Sequence, residues 1–214
     1  MINAATRLAN VRAGIERAAR VARRDPADIT LVAVSKRRTA AEIEALIEAG
    51  QRDFGESRVQ ETADKWPALR ARFPDVRLHM VGRLQSNKAG EAALLFDVIH
   101  SLDRRSLLTT LAAADRYPPV FVQVNVGEEE QKGGVALDDL PAFLEAVRAT
   151  RIELAGLMAI PPNGLEPGPF FALLAELGSR HGLAGLSMGM SGDYETAVML
   201  GATIVRVGTA LFED

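Results

Sequence analysis

Short apolar runs that recur about eight times, each separated from the next by a helix-compatible stretch, constrain the fold of this chain more than any other feature. The first four are Thr30 to Val34, Arg52 to Gly55, Leu78 to Gly82 and Val98 to Leu102; the next four are Val120 to Asn125, Leu154 to Ile160, Leu186 to Met190 and Ile204 to Gly208. The stretches between them carry helix grammar. Thr39 to Gln51 has an N-cap threonine, apolar Ile43, Leu46 and Ile47, and Gly50 as a stop. Leu137 to Ala149 opens on Asp138, Asp139 and Pro141, and Asp193 to Leu200 ends at Gly201. Strand and helix alternating in this count predict an α/β fold, a single (β/α)8 TIM-type barrel over residues 1–214. An open doubly wound sheet is the rival, but it usually carries a glycine-rich fingerprint after its first strand, and Val34-Ser35-Lys36-Arg37-Arg38-Thr39 has none.

Before the first run, Ile2, Ala5, Leu8, Val11, Ile15, Ala18 and Val21 recur at helical spacing, with Arg7, Arg12, Arg17 and Arg20 between them. This predicts an amphipathic N-terminal helix over residues 1–24, stopped by Asp25-Pro26 and packed on the barrel, with its arginines solvated. The same stripe could support a weak homodimer, but docking it on its own barrel favours a monomer.

The 214 residues carry 25 Lys and Arg against 28 Asp and Glu, a net charge of -3, which gives no general attraction for nucleic acid or anionic membrane. No apolar run reaches membrane-spanning length, and the N-terminal stretch lacks the apolar core of a secretory signal, so the expectation is a cytoplasmic protein without a membrane partner. The chain has 0 cysteines, which removes disulfides, thiol nucleophiles and thiolate metal sites together. His79, His100 and His181 show no metal-ligand spacing, and His79 and His100 read as hydrogen-bonded barrel residues. The acidic run Glu128 to Glu130, inside the polar stretch 127–134, reads as solvated charge; no metal is assigned.

In a (β/α)8 barrel the working face lies at the C-terminal ends of the strands. The runs close there on Ser35-Lys36, Glu56-Ser57, Gly82-Arg83, and Gln123 with Asn125. The seventh and eighth runs open into Ser191, Gly192 and Asp193, and into Gly208 and Thr209. Glycines and hydroxyls after the last two strands suit phosphate, because backbone N–H groups can approach an anion there. Either loop alone is as well explained by a helix cap or a turn. Lys36 is the sharper candidate, because desolvation at the end of an apolar strand disfavours the charged amine and frees its lone pair for a carbonyl. Taken alone it would be an exposed lysine beside Arg37 and Arg38. Closure of the barrel makes the first strand the neighbour of the eighth and puts lysine and phosphate loops on one cavity.

These residues resemble the pyridoxal phosphate homeostasis proteins, also described as alanine-racemase-like barrel proteins. The resemblance runs through LVAVSK at 31–36, AGQRDFGE at 49–56, VQE at 59–61, HMVGRLQSNK at 79–88 and VIHSLDR at 98–104. It continues in QVN at 123–125, Lys132-Gly133, GLMAIPP at 156–162, LSMGMSGD at 186–193 and GATIVRVGTALF at 201–212. It implies an alanine racemase N-terminal-domain-like barrel with pyridoxal 5'-phosphate (PLP) as cofactor in Schiff-base linkage to Lys36. It further implies phosphate contacts from Ser191, Gly192, Gly208 and Thr209, with Arg206 at the pyridine nitrogen or the phosphate edge. An arginine there leaves the ring a weaker electron sink than an acid would. The sequence departs from the family pattern at Ser57 and Arg58, which follow Glu56 where the family has asparagine and an aromatic residue, and at Arg37-Arg38-Thr39.

Alanine racemases need a second acid-base group opposite the lysine, a tyrosine from a further domain of a partner subunit. Here the chain ends soon after the eighth run, and Tyr117 and Tyr194 are its two tyrosines. The expectation is therefore a PLP-binding protein of vitamin B6 homeostasis, a non-catalytic carrier that could pass PLP to apo PLP-dependent enzymes. Two alternatives stand beside it: an amino-acid racemase or related PLP enzyme, and a cofactor-free barrel enzyme acting on a phosphorylated metabolite.

Overall fold

A computed structural model describes residues 3–129 and 133–213. Each apolar run forms a strand: β1 (Thr30–Val34), β2 (Asp53–Glu56), β3 (Arg77–Met80), β4 (Val98–Leu102), β5 (Val120–Gln123), β6 (Leu154–Met158), β7 (Gly185–Ser187) and β8 (Ile204–Val207). Neighbours in sequence pair in parallel, and β1 pairs with β8 from Thr30↔Ile204 to Ala33↔Val207, which closes the barrel. Several runs predict strands that reach too far toward the rim. β5 ends at Gln123: the Val124 N–H still bonds Met158 O of β6 at 2.8 Å, but Val124 also bridges Val135 in the following loop, and Asn125 lies beyond the sheet.

The helices are α1 (Ala4–Val21), α2 (Ala40–Glu48), α3 (Val59–Arg72), α4 (Ala89–Leu95), α5 (Arg105–Ala112), α6 (Leu140–Arg148), α7 (Gly168–Arg180), α8 (Tyr194–Met199) and α9 (Thr209–Phe212). α2 begins as its sequence requires: Thr39 Oγ1 accepts the Glu42 N–H at 3.3 Å, and Glu42 Oε2 accepts the Thr39 N–H at 2.8 Å. These bonds hold the Glu42 carboxyl below its usual range. α6 starts at Leu140, later than the sequence suggests, and Asp139 stands at its N-cap without a side-chain bond.

The N-terminal helix is shorter than expected and ends for a different reason. Arg23 turns left-handed at φ 55°, and the Arg24 N–H reaches back to Ala19 O at 2.9 Å, so the helix stops before Pro26. Pro26 instead opens a single 3-10 turn, with Asp25 Oδ1 accepting the Ala27 N–H at 2.9 Å. Leu8, Val11, Ile15 and Ala18 are buried as their spacing demands, whereas Ala5 and Val21 at the ends of the stripe are exposed; Ile2 lies outside the described residues. The buried stripe packs α1 against α2, α8 and α9. Its arginines are not merely solvated: Arg12 donates to Gly50 O at 3.0 Å, and Arg17 pairs with Glu195 at 3.1 Å.

Leu31, Ala33, Phe54 and Leu78 join the layer between barrel and helices, with Trp66 of α3 tilted against Phe54 at 5.3 Å between ring centroids. Inside the barrel, Val98, Phe121 and Met158 form a separate small cluster. The β6–β7 edge depends on two glycines set opposite each other, Gly156↔Gly185. A Cβ on Gly156 would lie 1.9 Å from Gly185 O, and one on Gly185 would lie 2.0 Å from Ala155 O. Gly156→Ala is therefore expected to lower unfolding stability by about 2–3 kcal/mol, read from the midpoint of a urea titration.

Candidate functional site

The loops at the C-terminal ends of β1, β7 and β8 enclose a cavity of about 350 Å3. Lys36, Ser191, Gly192, Arg206, Gly208 and Thr209 all line it, together with Val34, Val81, Ile160 and Met190. The six residues singled out from sequence thus meet in one place, because β8 closes on β1.

Lys36 sits in a tight turn rather than on the strand. The Arg38 N–H bonds Ser35 O at 3.1 Å, and Arg37 takes the left-handed φ of 61° that the turn requires. Lys36 is exposed, so burial does not supply the desolvation expected for its amine. The turn is anchored from below by a buried ion pair of which the sequence singled out only the acid. Lys65 of α3 donates to Ser35 O at 3.0 Å and pairs with the fully buried Glu56 at 2.7 Å. The same Glu56 oxygen accepts from Ser35 Oγ at 2.7 Å and from Trp66 Nε1 at 3.0 Å. Glu61 adds a bond to the Arg37 N–H at 2.6 Å. Glu56 was legible as a polar residue closing the second run; Lys65, within α3, was not singled out.

The opposite wall is built from β7 and β8. Ser191 does not cap the helix that follows it. Its Oγ accepts from the Gly208 N–H at 3.2 Å and from the Ala210 N–H at 3.4 Å across the β7–β8 edge, and Asp193 takes the N-cap position of α8. Two backbone donors at the start of α9 therefore converge on one hydroxyl, the arrangement that an anion's oxygen can share. At Gly192 a Cβ would meet nothing within 4 Å, so its backbone faces open space.

Arg206 is buried. Its Nη1 donates to Ser187 Oγ at 2.6 Å and its Nη2 to Ala159 O at 3.0 Å. Burial lowers its pKa to about 10, with Asp193 opposing the shift, and the guanidinium remains a cation at neutral pH. Below it, Ser187 Oγ lies 2.7 Å from His100 Nδ1, His100 Nε2 lies 2.9 Å from His79 Nδ1, and His79 Nε2 lies 2.9 Å from Asp53 Oδ1. His100 is stacked on Phe121 at 4.7 Å. Burial first, then His79 and Arg206, hold its pKa well below the usual value.

Other strand ends open elsewhere. Ser57, Arg58, Gly82 and Arg83 line a separate cavity of about 800 Å3. Gln123 Nε2 donates to Gly133 O at 3.0 Å, and Asn125 Nδ2 donates to Glu129 O at 3.0 Å, which ties down the described part of the acidic loop. Glu130 and Lys132 lie outside the described residues. Tyr194 points away from the site, its hydroxyl 3.3 Å from Glu195 and close to Gly14 of α1, and neither it nor Tyr117 lines the cavity. His181 ends α7, with its carbonyl accepting from Arg148 at 2.7 Å. Among the described residues, no three His, Asp or Glu side chains cluster as a metal site.

Comparison with known proteins gives concordant results. The family model described as alanine racemase, N-terminal domain, matches residues 7–214. The pyridoxal phosphate homeostasis protein of Pseudomonas aeruginosa is 43% identical over 222 residues, covering 99% of this chain and 96% of its own. The solved structure of PipY from Synechococcus elongatus with PLP bound superposes with a TM-score of 0.82 at 38% identity, over 98% of this chain and 99% of PipY. Alanine racemase from Corynebacterium glutamicum, at 18% identity and a TM-score of 0.66, shares the fold over 94% of this chain and 60% of its own.

Two outcomes follow from the site's charges. Lys65→Met strands the Glu56 carboxylate and is expected to cost about 3 kcal/mol in urea unfolding, with Glu56→Gln in the same chain restoring part of the loss. His100 is held neutral in the fold but takes up a proton below about pH 6.5 when unfolded. The unfolded state then binds the extra proton, so stability falls with pH below that point. The His100 contribution is at most about 1.4 kcal/mol per pH unit, measured as the slope of unfolding free energy against pH in wild type minus that in His100→Gln.

Proposed function

Since the chain belongs to the pyridoxal phosphate homeostasis proteins, within the alanine racemase N-terminal domain family, we propose that it holds PLP in the cavity at the β1, β7 and β8 ends, with the amine of Lys36 taking the cofactor's aldehyde. The observation that carries this reading is the convergence of Lys36, Ser191, Gly192, Arg206, Gly208 and Thr209 on one cavity of about 350 Å3. The donor set fits the group. The Gly208 and Ala210 N–H groups now shared by Ser191 Oγ, together with the open backbone at Gly192, suit a phosphate dianion. Thr209 adds a hydroxyl from the same loop.

When bound, PLP supplies an electrophilic aldehyde and an electron-accepting ring. Arg206 limits the second property. A guanidinium only donates, so at the pyridine edge it holds that nitrogen as an acceptor and gives no proton to it. Lys36 projects from a turn at the cavity mouth, where exposure lets its amine reach an aldehyde arriving from solvent.

Catalytic turnover would need an acid or base on the face opposite Lys36, and neither tyrosine lines the cavity. This supports a carrier of the vitamin B6 pool that sequesters a reactive aldehyde and releases it to apo PLP-dependent enzymes, in a cytoplasmic setting. The apolar stripe of α1 is used on the chain's own α2, α8 and α9, which supports a monomer.

Borohydride reduction of protein incubated with PLP, followed by peptide mass spectrometry, is expected to find a phosphopyridoxyl group on Lys36 and none in Lys36→Ala. A label on another lysine, or no label at all, overturns the assignment. Arg206→Ala is expected to weaken PLP binding about tenfold or more, through loss of a charged hydrogen bond.

A further inference from the structure

The side chains of Arg206, Ser187, His100, His79 and Asp53 form one hydrogen-bonded file through the inside of the barrel. It runs from the C-terminal end of β8, through β7, β4 and β3, to the first residue of β2. Its four links measure 2.6, 2.7, 2.9 and 2.9 Å. Ser187, His100 and His79 are at most 1% exposed, and Arg206 is 4% exposed. The file ends at each side on a cavity: Arg206 lines the Lys36 cavity, and Asp53 lines another of about 400 Å3 at the N-terminal ends of the strands, with Thr30, Gln51 and Arg52.

The chemistry of the two ends fixes the direction of every bond between them. A guanidinium has donors and no acceptor; a carboxylate has acceptors and no donor. Asp53 accepts from His79 Nε2 and Arg206 donates to Ser187 Oγ, and the order of bonds that leaves no donor of the file unused sends the serine proton to His100 Nδ1. His100 then carries its proton on Nε2 and gives it to His79 Nδ1, and His79 carries its own on Nε2 and gives it to Asp53. In that order each interior group uses one donor and one acceptor, and none is left over. A guanidinium and a carboxyl group at opposite ends of the barrel are thereby joined by three hydrogen-bonded groups in its buried interior, where such chains strengthen one another.

We propose that Ser187, His100, His79 and Asp53 are positioning residues for Arg206, a through-barrel relay that holds its guanidinium aimed into the Lys36 cavity and commits one of its Nη1 N–H groups away from the bound ligand. Arg77 stands 3.9 Å from Asp53 at the far end, but the short contact of Asp53 is with His79. The proposal rests on the PLP reading for what Arg206 touches; the direction of the relay does not depend on it.

The test has two arms. Nitrogen-15 NMR of histidine side chains in the protein without added PLP is expected to show His79 and His100 both neutral and both protonated on Nε2 at pH 7. Protonation on Nδ1, or a charged ring, at either residue overturns the relay whether or not PLP binds. The second arm reads Asp53→Asn, which keeps the shape at the barrel end but replaces a pure acceptor by a group that can also donate. Its PLP affinity is expected to fall about threefold to tenfold, with a displaced absorption band of the bound cofactor and a changed His79 ring signal. Ser187→Ala is expected to do the same, and Ser187→Thr to restore it. Wild-type affinity and wild-type absorption in both Asp53→Asn and Ser187→Ala overturn the positioning role while leaving PLP binding intact. If wild type itself takes up no PLP, the functional reading fails and the NMR arm still decides the relay.

Discussion

Parallel pairing of β1 with β8 is the contact on which the site depends. Lys36 follows β1 by two residues, and Gly208 follows β8 directly, so the ladder from Thr30↔Ile204 to Ala33↔Val207 sets a lysine and a loop of backbone donors side by side although the sequence separates them by most of its length. On the other side of that loop, Ser191 reaches Gly208 and Ala210 from the end of the adjacent β7. A barrel left open at this edge would keep every strand and lose the site. The cost of bringing such distant segments together is carried by the whole ring of parallel ladders, each of which needs its neighbours in place.

That dependence explains which parts of the structure were legible in the sequence. Strands buried on both faces write themselves as short apolar runs, and the runs at 30–34 and 98–102 match β1 and β4 residue for residue. Strand count and order follow, and with closure the meeting of Lys36 with Ser191, Gly192, Gly208 and Thr209 follows too. Where each strand leaves the sheet was not legible, because apolar residues such as Val124 continue into loops that pair elsewhere. The end of α1 was misread for a related reason. A proline is conspicuous, but the chain had already turned at Arg23, whose left-handed φ no residue-type preference announces.

The burial state of Lys36 shows a second limit of reading one residue at a time. A lysine at the end of an apolar strand suggests desolvation, yet the chain turns between Ser35 and Arg38 and lifts the amine into solvent. Burial acts one step away, on Glu56 and Lys65, which lock the turn beneath it. An exposed amine on a rigid turn suits capture and release of an aldehyde better than it suits proton abstraction at a closed carbon centre, where water must be excluded.

The interior of the barrel carries the same division between pattern and pairing. His79 and His100 announce themselves as polar residues inside apolar runs, and a hydrogen-bonded role for them was readable. Their partners were not: Ser187 lies on β7, three strands beyond His100 on β4, and the two meet only across the barrel axis, whereas Asp53 opens β2, beside the β3 of His79. A buried polar file of this kind is costly unless every member is satisfied. Fixed donors at Arg206 and fixed acceptors at Asp53 leave one arrangement that satisfies all five side chains. Replacing either histidine by an apolar residue would leave a serine or a carboxylate facing hydrocarbon, so the file stands or falls as a unit. It ties the orientation of Arg206 at the mouth of the cavity to a carboxylate at the other end of the barrel.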